Sequence, residues 1–373
     1  MRRSDAGAGH NRLAAGASAV AAALGLLMLV GCATREPAEP VIAHPAETAP
    51  PKPAPTATEP SSTGGHPQAQ GRVLARGERQ LVYRPATGDT FEGMATRFLG
   101  SPELAWMLSD AAGLVQPMPE RPLVVPLRPI NPLGVGPDGV QTVPILCYHR
   151  LGGGSSKMVV SPANFEAQMN WLVRNGYRVI RLADLPPFLA GERPLPQRSV
   201  VITFDDGYES VHRHAWPVLK RLGLPATVFV YTDFLGGGDA LTWPQLQEMQ
   251  SSGLIDVQSH SKSHRNLIER RPGETDERYR SAIDAELRVP REMLERRVAG
   301  AKVQHLAYPF GDANDVVLDT AARQGVVLAA TVVPGGNGFY APPLLLRRTM
   351  IFGDMTLDAF RARLQVSRPL SSP

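Results

Sequence analysis

Three stretches of this 373-residue chain end an apolar run in groups that can bind a cation or move a proton. In Val200-Val201-Ile202-Thr203-Phe204-Asp205-Asp206-Gly207 the run stops at two adjacent carboxylates and a glycine. Neighbouring carboxylates repel when both are ionised and unpaired, and a nearby cation relieves this. Asp-Asp-Gly is equally the chemistry of a plain turn. In Ile255-Asp256-Val257-Gln258-Ser259-His260-Ser261-Lys262-Ser263-His264 the run ends in two histidines four residues apart. If the chain turns after His260, both imidazoles can face one point. Two neutral imidazoles and one carboxylate make a common three-ligand zinc site with an open position; left in a surface loop, the same pair binds nothing. The third stretch is His305-Leu306-Ala307-Tyr308-Pro309-Phe310-Gly311. It suits a rigid loop that exposes a backbone N–H, or simply an ordinary end to a strand.

The elements that must position these groups alternate along the chain. Apolar runs predict strands over Val143–Tyr148, Val200–Phe204, Ala226–Tyr231, Ile255–Ser259, Val303–Tyr308 and Val327–Val333. Helical patterns fall between them, over Pro162–Asn175, Ser210–Leu222, Trp243–Ser252, Tyr279–Arg297 with an interruption near Pro290, and Val316–Gln324. Such alternation predicts an α/β domain with a mainly parallel sheet or barrel, over residues 141–366. The candidate residues sit where strands end, which is where α/β folds place their sites.

Taken together, Thr203-Phe204-Asp205-Asp206-Gly207, Ser259-His260-Ser261-Lys262-Ser263-His264 and Tyr308-Pro309-Phe310-Gly311, in this order and spacing, resemble the polysaccharide deacetylase family (the NodB homology domain, carbohydrate esterase family 4). The flanking Val143–His149 and Leu241-Thr242-Trp243 are similar too. The resemblance implies a distorted (β/α) barrel of the NodB type and hydrolytic removal of acetyl groups from N-acetylated sugars. It implies that Asp206, His260 and His264 bind a divalent metal, usually Zn2+, that Asp205 is the general base, and that the Phe310 N–H stabilises the oxyanion. The physical logic stands beside it: a metal acidifies water and polarises a carbonyl, a carboxylate next to it accepts the proton, and a backbone N–H stabilises developing negative charge.

Two departures from the family pattern carry expectations of their own. Many members have an arginine where Ala307 stands, paired with the catalytic aspartate; Arg347 or Arg348 could replace it. No histidine follows His305, so the late Leu-x-His general acid is missing. The branch acting on poly-β-1,6-N-acetylglucosamine has an early Tyr-His pair instead, which Tyr148-His149 fits, so His149 is the candidate acid; the alternative is a core histidine at a strand end. Cys147 reads as a buried strand residue. Trp243, Tyr231, Asp233 and Phe339 could line a sugar groove but read equally well as packing.

The rest of the chain speaks to placement. Arg2, Arg3 and Arg12 precede an apolar stretch from Leu13 to Val30 that ends in Leu29-Val30-Gly31-Cys32. This resembles a bacterial lipoprotein signal over residues 1–32 with Cys32 as the lipidated residue; the alternative is a single membrane-spanning helix. The two cysteines, Cys32 and Cys147, then form no disulfide framework. Residues 33–78 are rich in Pro and Ala and read as a disordered linker. Residues 79–128 read as strand-helix-helix-strand with Gly88-Asp89-Thr90 before the first helix, which resembles a LysM domain that binds N-acetylglucosamine-containing glycans; the alternative is a small packing module. Hence the expected partners are an N-acetylglucosamine-containing polysaccharide and a membrane met through a lipid anchor. The expected location is the cell envelope, at an outer membrane facing the periplasm. A net charge of +4 over this length is too small to argue for nucleic acid. The competing function is a catalytically inactive glycan-binding lipoprotein.

Overall fold

The computed structural model describes residues 69–369 except 129 and 138. The signal segment 1–32, Cys32 and most of the expected linker lie outside the described residues.

A small unit comes first. Strands β1 (Arg72–Arg76), β2 (Gln80–Arg84) and β3 (Leu123–Pro126) form an antiparallel sheet in that order. Helices α1 (Phe91–Leu99) and α2 (Ala105–Ala112) lie between β2 and β3 in the chain. Thr90 caps α1 by accepting from the Gly93 N–H. Leu81, Tyr83, Met94, Leu108 and Val125 make its core. β1 falls inside the stretch read as linker, so the order is strand-strand-helix-helix-strand. What holds this early segment is the Asp89 carboxylate, which accepts from the N–H groups of Gln70, Gly71 and Ala86 and from the Tyr83 hydroxyl. Composition does not reveal such a partner at a distance.

The large unit is built on parallel strands. In chain order they are β4 (Val143–Tyr148), β5 (Ser199–Phe204), β6 (Ala226–Val230), β7 (Ile255–Ser259), β8 (His305–Ala307) and β9 (Leu328–Ala330). They pair in the order β9-β8-β7-β6-β5-β4. A short strand β10 (Thr349–Met350) pairs with β4 on its other side. Just before it, Leu346 bridges Ala330 of β9, and the Arg348 N–H donates to the Val333 carbonyl. Residues 346–351 therefore run between the first and last strands, and the sheet curls back on itself.

Alternation along the strands feeds two cores. Val200, Ile202 and Phe204 face outward, packing with Phe165, Met169 and Leu219 from the helices. Val201 packs on the other face with Ile145, Phe229, Ala330 and Leu346. By the same period of two, Thr203 and Asp205 follow Val201 inward. Helix α3 (Asp276–Arg297) runs unbroken through Pro290. Proline removes one amide and costs a helix interior about 3 kcal/mol. A buried stripe of Tyr279, Ile283, Leu287 and Leu294 on both sides of it carries the helix through. Among the described residues no helix is long and apolar enough to cross a membrane.

Candidate active site

The register brings the carboxyl ends of the strands level. Phe204 stands beside Tyr148 and Val228, Val230 beside Ser259, and Ser259 beside Leu306. The next residues out of β4, β5 and β7 are His149, Asp205 and His260, so three candidates separated in sequence emerge on one rim. They line a cleft of about 400 Å³ together with Asp206, His264 and Phe310.

Asp205 points inward and is buried. Arg348 donates to it twice, Nη1 to Oδ1 and Nη2 to Oδ2, both at 2.7 Å. The Cys147 thiol donates to Oδ2 at 3.5 Å. Arg348 is itself buried, and its Nε donates to the Thr331 carbonyl. Arg348 rather than Arg347 is thus the arginine paired with Asp205; Arg347 turns to the Pro334 carbonyl. Burial alone would raise the Asp205 carboxyl, but Arg348, with His260 beside it, outweighs burial and holds it well below the usual carboxylate range. Asp205 is an anion at neutral pH.

Asp206 leaves the strand through a left-handed turn at φ 71°. Gly207 follows at φ 83°, where a Cβ would meet the Val230 side chain at 2.9 Å. The turn swings Asp206 away from Asp205 and toward the histidines. His264 Nε2 lies 3.2 Å and His260 Nε2 3.6 Å from Asp206 Oδ1. His260 Nδ1 lies 2.7 Å from the Ala307 carbonyl, which only accepts, so Nδ1 carries the proton and Nε2 presents a lone pair. Burial lowers the His260 pKa in spite of Asp205 and Asp206, keeping the ring neutral. In Asp206, burial is outweighed by the histidines, chiefly His264, and its pKa is lowered.

One ligating atom from each of Asp206, His260 and His264 lies within 4.8 Å of the other two. Asp206 Oδ1 is buried and has no hydrogen-bond partner, although an orphaned buried oxygen is costly. An orphaned oxygen, the His260 lone pair and the second imidazole of His264 are the donor set of a divalent cation, so these residues fit one. His260 also has the outer-shell carbonyl that ligating histidines usually have.

His149 lines the cleft, and its Nδ1 is buried without a partner. Phe310 adopts φ 61° in the short turn Pro309–Gly311. Gly311, at φ 80°, tolerates no side chain because a Cβ would meet the Val332 nitrogen at 2.6 Å. The Phe310 ring is exposed and sits 5.0 Å from that of His264. Asp206, Ser261, His264 and Phe310 are four of the six non-glycine residues with positive φ among the described residues. Backbone strain is concentrated at this rim, as it is at functional sites generally.

A model of the polysaccharide deacetylase family matches residues 192–329. The Bacillus subtilis (strain 168) protein YxkH, of the same family description, is 31% identical over 227 residues, covering 60% of this chain and 76% of the relative. The chain belongs to the polysaccharide deacetylase family. Its chemistry is hydrolysis of amide bonds, and deacetylases of this family depend in general on a metal. The poly-β-1,6-N-acetyl-D-glucosamine N-deacetylase of Staphylococcus aureus (strain MRSA252) is 27% identical, over 50% of this chain and 67% of that protein. The structure of IcaB from Ammonifex degensii superposes with a TM-score of 0.54 at 28% identity, covering 60% of this chain and 97% of that one.

The segment matched to the deacetylase family contains Asp205, Asp206, His260, His264 and Phe310 but neither His149 nor Arg348. His149 directly follows β4 and Arg348 directly precedes β10, both outside the matched segment. Trp243 is the first residue of the helix Trp243–Ser251, which Thr242 caps, and Arg297 lies over its ring, so it packs rather than lines the cleft. Tyr231 stacks on Phe234 and stands 5.1 Å from the His264 ring. Asp233 pairs with Lys262.

Proposed function

We propose that this deacetylase removes acetyl groups from N-acetylglucosamine residues of an envelope or exported polysaccharide, with a poly-β-1,6-linked polymer favoured. The observation that carries the reading is the convergence of Asp206, His260 and His264 on one point, with Asp205 Oδ2 3.8 Å from His260 Nε2. Asp206 and the two imidazoles hold the cation, taken as Zn2+ from its nitrogen-rich donor set. A divalent cation there supplies Lewis acidity to water and to the acetyl carbonyl.

The chain's own groups do the rest. Asp205, ionised and fixed by Arg348, accepts the proton that the attacking water loses. The Phe310 N–H faces the developing oxyanion. His149, on the same rim, gives a proton to the departing amine. The early position of this histidine and the similarity to the S. aureus enzyme both favour the β-1,6 polymer. The LysM-like reading of residues 79–128 favours peptidoglycan as the second choice. Lipidation at Cys32 would tether the enzyme by the 33–68 stretch to an outer membrane, facing the periplasm.

The test is acetate release by the chain lacking its signal segment, on poly-β-1,6-N-acetylglucosamine and on peptidoglycan. Release from the first, abolished by a chelator and restored by Zn2+, is expected. Release from peptidoglycan alone reassigns the substrate. No release from either polymer, with binding retained, leaves the inactive glycan-binding lipoprotein.

A further inference from the structure

We propose that Glu286 is a positioning residue for the metal centre, fixing the loop that carries His264 and so setting how tightly the site holds its cation. The inference rests on the metal-centre reading given above.

Glu286 lies on α3 among apolar neighbours, Tyr279, Ile283, Leu287 and Pro290, and is only 6% exposed. A carboxylate in that position needs partners that satisfy its oxygens. All three of its hydrogen-bond partners belong to the loop between the two histidines. Oε2 accepts from the Lys262 N–H at 3.1 Å and from the Ser263 N–H at 2.9 Å. Oε1 accepts from the Ser263 hydroxyl at 2.6 Å.

The loop needs such a grip. Ser261 and His264 both adopt left-handed backbone, at φ 71° and 59°, and neither is glycine. Conformations of this kind persist only where the surroundings impose them. Within the loop, the His264 N–H donates to Ser261 Oγ at 3.0 Å. On the other flank, Asp233 binds the Lys262 carbonyl through its N–H and the Lys262 ammonium through its carboxylate. That ion pair is 38% and 43% exposed, so water and salt weaken it. Glu286 is the buried clamp, made of charge-assisted hydrogen bonds. Where it holds Lys262 and Ser263, the chain returns to place His264 Nε2 3.2 Å from Asp206 Oδ1. Without it the loop can relax, and the second imidazole leaves the point it shares with His260 and Asp206.

The test is Zn2+ affinity of the full chain, measured by competition with a chromogenic chelator, with the metal-free melting temperature recorded beside it. Glu286→Ala is expected to weaken Zn2+ binding by about 10–100-fold, the usual effect of losing an outer-shell partner. Glu286→Gln is expected to stay within about threefold of the wild type. Its single oxygen can accept both N–H groups while the Ser263 hydroxyl turns to accept. A folded Glu286→Ala chain with wild-type affinity overturns the proposal. If that chain does not fold, Glu286→Asp, which withdraws the carboxylate by one methylene, takes its place. Weaker binding is again expected, and unchanged binding is again fatal. A wild-type chain that takes up no more Zn2+ than Asp206→Asn instead defeats the metal-centre reading itself, a result distinct from equal affinities among the Glu286 variants.

Discussion

Arg348 meets Asp205 through two parallel hydrogen bonds of 2.7 Å, with both side chains buried. The pair joins the closing segment of the sheet to the end of β5. Removing the arginine strands a carboxylate out of water, which typically costs about 3–5 kcal/mol. Arg348→Met is expected to lose stability of that order in urea unfolding. Arg348→Lys keeps the charge but cannot make two parallel bonds. Its turnover should fall while its fold survives, and an unchanged rate would show that the planar grip is irrelevant to the base. The Asp205 carboxyl is depressed in the folded chain, so the pair stabilises fully above the unfolded carboxylate value of about 4. That contribution fades as pH drops below this value.

The two proton carriers should separate cleanly from the metal ligands. Asp205→Asn and His149→Ala are each expected to slow acetate release by about 10²–10⁴-fold. Both should still bind one Zn2+ in an equilibrium titration. Loss of Zn2+ from the His149 variant would make that residue a ligand, and full activity in the Asp205 variant would end its role as base.

His305 offers a test away from the cleft. It is buried with an unpartnered Nδ1, beside a water-sized cavity lined by Ser259, Arg291 and Gln324. Burial pushes its pKa down from the ordinary value to about 4. The unfolded chain therefore takes up the proton first, and stability should fall as pH drops from about 6.5 toward 4, by roughly 3 kcal/mol at most. His305→Leu should flatten this dependence. Urea midpoints compared at pH 7 and pH 5 for both chains decide it, and equal slopes refute it.

Most of the strands were legible because they are buried on both faces and read as apolar runs, while Ile255–Ser259 is marked by its alternation of Ile255 and Val257 with polar residues. Val143–Tyr148 and Ile255–Ser259 match to the residue, whereas Val303–Tyr308 and Val327–Val333 shrink to three-residue pairings. Those outer strands lose ladder partners at their ends, and hydropathy does not report pairing. The ligand cluster was legible because each of its members follows an apolar run. The partner of Asp205 was open between Arg347 and Arg348, since neighbouring residues project in different directions and only the folded chain decides which one meets Asp205. Glu286 was missed. Its signal was present, a carboxylate on the apolar stripe three residues after Ile283, but it names no partner. The start of the small unit was missed too, because β1 is held by pairing with β2 and the residues leading into it by Asp89, rather than by its own composition.

The curled sheet has a consequence for assembly. Asp205 and the arginine that restrains it are 143 positions apart in sequence. Arg348 arrives on the segment that seals the ring, after the strands β4 to β9 that it closes. A growing or partly folded chain can thus display both carboxylates and both imidazoles and still be inert, because its base swings free until the seam is shut. Hydrolytic competence becomes a report on completed folding.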